Sequence, residues 1–279
     1  MPTPGTLYLV ATPIGNLGDI SYRAADTLNS VDFIAAEDTR VTIKLLNHLE
    51  IKKPLVSYYE HNSKYSGEKI ISRIIAGESC ALVTDAGMPG ISDPGQGLIR
   101  LCVNAGINLS VIPGPCAAVS ALVLSGFSAS RFTFEGFLST ARKSRFEHLE
   151  MLKDEKRDMI FYEAPHKLLR TLKDMADIFG ADRKVSISRE MTKVFEETLR
   201  FGLADACDYF EKNKPRGEFV LVIEGVDHMS EPALEDAVQI ANEYIKSGLS
   251  VKDSVKAAAI ETNVSKNMLY DVIVKSKEV

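Results

Sequence analysis

Short apolar runs alternate with helix-length amphipathic stretches through the first half of the chain. LYLVAT, VDFIAAE, PLVSYYE, CALVTD and NLSVIPG, rich in Val, Ile, Leu and Tyr, read as strands. Between them, DISYRAADTLNS, RVTIKLLNHLE, KYSGEKIISRIIAG and GQGLIRLCVNAG carry apolar residues at helical spacing. Several of these end at Gly or Asn, where helices stop. The alternation predicts an α/β fold with a mostly parallel sheet covered on both faces. In such sheets the working loops leave the carboxyl ends of the strands. ATPIGN, AEDTR, YYEHN, TDAGMPGISDPG and IPGPCAA occupy those positions.

The pattern shifts near Gly126. A small-residue stretch gives way to TFEGFL and a basic loop, TARKSR, and then to a second alternating region: MIFYEA, the helix KLLRTLKDMADIF, KVSISRE, ETLRFG and GEFVLVIEG. After Gly225 the chain turns helical, with ALEDAVQIANEYIKSG, SVKDSVKAAAIETN and SKNMLYDVIVKSK, the last two N-capped by Ser250 and Ser265. The expected organisation is one α/β domain over 1–125, a second over 126–228 and a helical extension over 229–279. The last two helices have the outline of a helix-turn-helix unit; packing on the second domain accounts for them equally well.

Composition adds bounds. With 279 residues, 45% hydrophobic and 25% charged, the chain can bury a sizeable core. No apolar run approaches the ~20 residues of a membrane span. MPTPGTLYLV lacks the basic n-region of a secretory signal. Cys80, Cys102, Cys116 and Cys207 show no CxxC spacing and read as reduced core thiols of a cytoplasmic protein. The net charge of −5 matters more. Proteins that grip nucleic acid by charge alone are usually basic, so an RNA substrate would need a local patch.

Candidate chemistry is narrowed first by what is missing. The chain has no GxxxxGKS/T phosphate loop, no GxGxxG after a strand, no GxSxG, and no His or Cys pairs at metal-ligand spacing. Instead, strand ends are dense in Gly and Pro: Pro13 and Gly15, then Gly87, Pro89, Gly90, Pro94 and Gly95 around Asp85 and Asp93, then Pro113, Gly114 and Pro115. Proline fixes the chain path and glycine lets a ligand touch the backbone. Such loops suit a phosphate-free ligand of the adenosine type and also occur as plain structural turns.

The segments LYLVATPIGNLGDIS, AEDTR, LVTDAGMPGISDPG, IPGPCAA, FYEAPHK, SREMTK and GEFVLVIEG, in that order, resemble the tetrapyrrole methylase superfamily. Within it, they are similar to the branch that methylates cytidine 2′-hydroxyls of 16S ribosomal RNA. The resemblance runs from Gly5 to Val226 and is weaker over the helical tail. It implies two α/β domains, S-adenosyl-L-methionine in the cleft between them, and a homodimer. It also implies 16S rRNA as partner, within the assembled small subunit, with no membrane and no metal. Other relatives methylate ring carbons of corrinoid precursors or a modified histidine of a translation factor, so membership alone does not fix the acceptor.

Position by position, the resemblance assigns Pro13, Ile14 and Gly15 to the cofactor pocket, with Asp85, Gly87, Met88, Pro89 and Ile91 from the fourth-strand loop. Cys116 and Ala117 follow the fifth strand, and Tyr162 and Glu163 close the cleft from the second domain. Relatives often carry a GDP-like triplet where this chain has Gly87, Met88 and Pro89, which leaves the contact made by Met88 open.

A ribose hydroxyl is a poor nucleophile until its proton leaves, so a base or a neighbouring cation should assist. Glu37, Asp38 and His61 are candidate proton acceptors, and Arg189 and Lys193 could orient a phosphate. An Asp38–Arg40 pair capping a helix, a solvated His61 beside Glu60 and Asn62, and a surface ion pair among Arg189, Glu190 and Lys193 are the plain alternatives. Arg40, Arg142, Lys143 and Arg145 are the candidate RNA contacts. Tyr58, Tyr59 and Phe137 could stack on bases, although aromatics at strand ends are more often core. The competing functions are a tetrapyrrole methyltransferase and a non-catalytic ribosome-assembly factor that keeps the cleft.

Overall fold

The computed structural model describes residues 5–59, 63–226, 231–262, 264 and 266–275. The first half folds as β1 (Thr6–Val10), α1 (Tyr22–Ser30), β2 (Phe33–Ala36), α2 (Thr39–His48), β3 (Leu55–Ser57) and α3 (Ser63–Ile75). It continues with β4 (Cys80–Val83), α4 (Gln96–Asn104), β5 (Asn108–Ile112) and α5 (Ala117–Ser125). The five strands form one sheet, ordered β3-β2-β4-β1-β5, and every pairing is parallel.

Alternate residues of the central strands enter two cores. Leu7, Phe33, Cys80 and Leu82 pack with Ile70 and Ile74 of α3 and Leu98 of α4. Val10, Ile34, Ala81 and Val83 meet Leu28 of α1 and Leu45 of α2. Strands buried on both faces have no polar side to present, which is why β2 (FIAA) and β4 (CALV) carry no polar residue.

The second half contains β6 (Phe132–Phe137), α6 (Arg142–Met151), β7 (Asp158–Glu163), α7 (Leu168–Phe179), β8 (Lys184–Arg189), β9 (Glu197–Gly202), α8 (Leu203–Lys212) and β10 (Phe219–Ile223). Its sheet is ordered β6-β7-β10-β8-β9. Here a mostly parallel arrangement is not what forms: β6 and β7 are parallel, and the other three pairings are antiparallel. No helix separates β8 from β9, and so short a connection can only return the chain antiparallel. A second correction concerns TARKSR. Its basic residues belong largely to α6, which starts at Arg142.

The sheets meet through α5. Ala118, Ala121 and Leu122 pack on Ile160 of β7 and Val220 and Val222 of β10. The other face of the second sheet buries Met159, Phe161 and Leu221 with Leu149 of α6 and Leu172 and Met175 of α7. At the end of α5, Gly126 takes the left-handed conformation (φ +79°), and the Arg200 guanidinium caps the carbonyls of Ser125 (2.9 Å) and Leu124. Both sheets lie in one compact unit that ends at Glu224.

A second unit comprises residues 154–156 and 225–279. It contains α9 (Glu231–Lys246), α10 (Val251–Thr262) and α11 (Lys266–Lys275), packed around Ala237, Ala241, Val255, Ala258, Leu269 and Ile273. Ser250 Oγ accepts from the Asp253 N–H at 3.2 Å and so caps α10. The other expected cap, Ser265, lies outside the described residues. No helix among the described residues is long and apolar enough to cross a membrane.

Candidate active site

The loops after β1, β2 and β4 are tied together at the carboxyl edge of the first sheet. Thr12 N–H donates to Gly87 O (2.9 Å) and Gly87 N–H to Thr12 O (3.1 Å). Thr12 Oγ1 donates to Thr84 O at 3.1 Å. Gly87 sits at φ +82°, a conformation that favours glycine. Asp38 N–H donates to Asp85 Oδ1 (3.2 Å), and Asp85 N–H donates to Glu37 Oε2 (3.3 Å). The carboxylates of Glu37 and Asp85 therefore stand side by side, fixed by backbone donors.

The second sheet supplies the opposite wall. A bulge at Glu135 shifts the β6–β7 register, so that Phe134 pairs with Ile160 and Phe137 with Tyr162. Residues three apart would otherwise face opposite sides of a strand. The extra residue puts both phenylalanines on the face of Tyr162, where each packs edge-on to its ring, with centroids 5.1 and 5.5 Å away. Tyr162 Oη accepts from Ala118 N–H at 3.2 Å, fixing the start of α5. Burial pushes the Tyr162 phenol up to about 12.

Between these walls lies a cleft of about 410 Å³. Ile14, Met88, Ile91, Phe137 and Tyr162 give it apolar sides. Its charged lining is one-sided: Glu37, Asp85, Asp93, Glu163, Glu190 and Glu218 against Lys193 alone, itself paired with Glu190 at 3.0 Å. Burial raises the Glu37 and Asp85 carboxyls above their ordinary range, partly opposed by the backbone donors. Asp93 is pushed up to about 7, by burial first and then by Glu37, Asp85 and Glu218. Asp38 behaves oppositely: hydrogen bonds from Arg40 hold it down to about 2.

Of the expected cofactor residues, Ile14, Asp85, Gly87, Met88 and Ile91 line the cleft from the first sheet, as do Cys116 and Ala117 at the start of α5. Tyr162 and Glu163 line it from the second, but the Glu163 carboxylate turns away to accept from Thr171 Oγ1 (2.5 Å) and Ala164 N–H (2.8 Å). Pro13, Gly15 and Pro89 shape the loops behind the lining. Gly15 also receives the opposite lobe: a Cβ there would stand 2.7 Å from Lys193 Cγ and 2.8 Å from Thr192 Oγ1.

Among the other candidates, Glu37 and Lys193 reach the cleft. Asp38 caps α2 through Arg40 N–H (2.8 Å) and pairs with the Arg40 guanidinium at 2.6 Å. Arg189 pairs with Glu197, directly opposite on β9, at 2.6 Å. His61 lies outside the described residues, as do Glu60 and Asn62. Arg142 and Lys143 are exposed on α6. Arg145 is a correction. It is buried, with Nε 2.6 Å from Asp174 Oδ2, so it braces α6 on α7 and is not available to RNA. The helix repeat explains this: Arg142 and Lys143 face solvent while Arg145 and Leu149, four apart, face inward. Tyr58 is likewise core.

Sequence reasoning missed Asp93 and Glu218 as cleft residues. Asp93 stood in a singled-out loop, but its approach to Glu37, Asp85 and Glu218 depends on strand order and on the second sheet.

The lining fits S-adenosyl-L-methionine. That molecule carries a sulfonium and an ammonium with no phosphate, so an acidic cleft with apolar walls complements it. Ile14, Met88 and Tyr162 would hold the nucleoside and Asp85 and Glu37 would face the cationic part. Among the described residues no three His, Cys, Asp or Glu side chains converge as metal ligands.

Comparison with known proteins bears on the same residues. The family profile described as tetrapyrrole (corrin/porphyrin) methylases matches residues 6–207. Over 270 residues the chain is 45% identical to the ribosomal RNA small subunit methyltransferase I of Synechocystis sp., covering 96% of this chain and 97% of that one. The protein of the same name from Thermotoga maritima is 49% identical over 221 residues, 79% of this chain and 99% of its own length. Among solved structures, a cobalt precorrin-4 methyltransferase of cobalamin biosynthesis superposes with a TM-score of 0.60 at 16% identity, covering 79% of this chain and 95% of that one, which shows a shared fold. The chain belongs to the tetrapyrrole (corrin/porphyrin) methylase family, in the group that includes ribosomal RNA small subunit methyltransferase I.

Proposed function

We propose that this chain transfers the methyl group of S-adenosyl-L-methionine to the 2′-hydroxyl of a cytidine in 16S ribosomal RNA of the small subunit. The observation that carries the donor is the cleft: six acidic residues against one lysine, walled by Ile14, Met88, Phe137 and Tyr162. The names of relatives at 45% and 49% identity support ribosomal RNA as acceptor. The sulfonium methyl is already activated, so the protein's task is to align donor and acceptor and to remove the hydroxyl proton. Lys193, at the cleft, suits a phosphate of the acceptor strand. Such a substrate would place the chain in the cytoplasm.

An acidic protein needs a local basic surface to hold RNA. Arg142 and Lys143 supply one on α6, with Lys143 88% exposed, and Arg40 is 87% exposed beside the cleft loops. Replacing Arg142 and Lys143 together with alanine is expected to weaken subunit binding and flatten its salt dependence by about one unit of log–log slope per lost contact. Filter binding across a salt series measures this, and an unchanged slope would assign RNA contact to another surface. Exposed apolar residues, Val111 on the edge strand β5 and Val119 and Val123 on α5, support a homodimer. Sedimentation at micromolar concentration tests that.

The functional test is mass mapping of ribose methylation after incubation with purified small subunits, with free 16S rRNA, or with a corrinoid precursor. A methyl on a cytidine ribose of the subunit is expected. Transfer to the corrinoid alone, or donor binding without any transfer, would overturn the assignment.

A further inference from the structure

We propose that two neighbouring loops of the second sheet, 190–196 and 213–218, seat the acceptor strand: Lys214 and Arg216 hold its phosphates and Phe195 stacks on one of its bases. The role rests on reading the cleft as a site of methyl transfer to RNA, and adds the surface outside the cleft that grips that RNA.

Strand register brings the two loops together. β10 runs antiparallel to β8 with Phe219 opposite Arg189, so the loop entering β10 and the loop leaving β8 share one end of the sheet. They interlock there. Gly217 holds a left-handed φ of +79°, and a Cβ on it would stand 2.7 Å from Glu190 Cδ. Both loops also reach the cleft, through Glu190, Met191 and Lys193 on one side and Glu218 on the other.

The loop after β8 is tightly bonded and carries an exposed apolar tip. Glu190 and Thr192 sit at φ +51° and +67°. Lys193 N–H donates to Glu190 O (3.0 Å), Glu196 N–H to Lys193 O (3.1 Å) and Thr192 N–H to Glu196 Oε2 (2.6 Å). Val194 and Phe195 are left 93% and 74% exposed, next to the cleft residue Lys193. An aromatic ring held in water on an already ordered backbone is a platform for a base, since every base has a flat face to offer and little further ordering is needed.

The loop before β10 adds charge. Lys214 and Arg216 are exposed, and neither makes a hydrogen bond or ion pair among the described residues. The acids around them are engaged: Glu190 pairs with Lys193, Glu196 holds Thr192 N–H, Glu197 pairs with Arg189 and Glu211 with Lys173. Unpaired positive charge therefore gathers at the rim of a cleft lined by six acidic residues. Such a cleft repels phosphates and suits only the reacting sugar, so attraction for the strand must come from outside it. Cations and an aromatic face side by side fit single-stranded RNA better than a second copy of this acidic chain.

The test is filter binding of the full chain to purified small subunits across a salt series, with methyl transfer, donor calorimetry and sedimentation on the same proteins. Replacing Lys214 and Arg216 together with alanine should flatten the log–log salt slope by about 0.7 for each lost contact and raise the KM for subunits, with donor affinity unchanged. Phe195→Ala should weaken subunit binding by about 5- to 150-fold, the range for one lost stack, without changing the slope. Phe195→Tyr should restore binding and Phe195→Leu should not, which separates stacking from simple apolar contact. Unchanged slope and KM in the double variant, full rescue by leucine, or a Phe195→Ala protein that falls from dimer to monomer would overturn the proposal and leave the methyl-transfer reading intact. A wild-type protein that methylates no subunit RNA would remove that reading, and this inference with it.

Discussion

Replacing Arg145 with alanine is expected to destabilise the protein by about 3–5 kcal/mol, the cost of leaving a buried charge without its partner. Arg145 and Asp174 are 3% and 11% exposed in their side chains and 2.6 Å apart. Arg145 Nη1 also donates to Ser139 O (3.0 Å) and Thr140 O (3.1 Å), so one guanidinium satisfies a carboxylate and two carbonyls. Lysine cannot reproduce that fork, so Arg145→Lys should recover little. Exchanging Arg145 and Asp174 together for methionine and leucine should recover much of the loss, because no unpaired charge remains. Arg142→Ala, in the same turn but exposed, should change stability by less than about 0.5 kcal/mol. Urea unfolding of the four variants measures this. Equal effects at 142 and 145 would contradict the structural role given to Arg145.

The second large effect is at Gly15. A valine there is expected to lower turnover by about 10²-fold, through displacement of the opposite wall by about an ångström. Lys193 is a flexible chain and could swing away. Thr192 cannot: its φ is +67°, its N–H is held by Glu196 at 2.6 Å, and its hydroxyl would meet the new Cβ at 2.8 Å. The segment from Glu190 to Glu196 must therefore lift, carrying Glu190, Met191 and Lys193 out of the cleft lining. Because Gly15 is exposed, overall stability should change little while donor affinity and turnover fall together. A Gly15→Val protein with wild-type kinetics would show that this contact does not shape the site.

The first sheet was legible in the sequence because burial on both faces leaves a plain signature, an apolar run such as FIAA or CALV bounded by loop residues. The strand-end rule then led to the loop TDAGMPGISDPG, and the family resemblance assigned its Asp85, Gly87 and Ile91 to the pocket. The second sheet was harder. Its mixed strand directions follow from one helix-free connection between β8 and β9, and the bulge at Glu135 that aligns Phe134, Phe137 and Tyr162 leaves no periodic trace. RKSRFEHLEM is strongly polar, so α6 looked like a loop and its one buried arginine like the exposed ones. The acidic character of the cleft was hidden for another reason. Glu37 meets the loop of Asp85 and Asp93 only through the strand order of the first sheet, and Glu218 joins them only from the second sheet.

The central claim is that this acidic, apolar-walled cleft receives a cationic nucleoside without phosphates. Titration calorimetry of the whole chain at neutral pH, with S-adenosyl-L-methionine, its demethylated thioether product and ATP, tests it directly. The account predicts one site per chain for the first two ligands, weakened by Gly15→Val, and no measurable heat with ATP. Binding of ATP alone, or of none of the three, would contradict it.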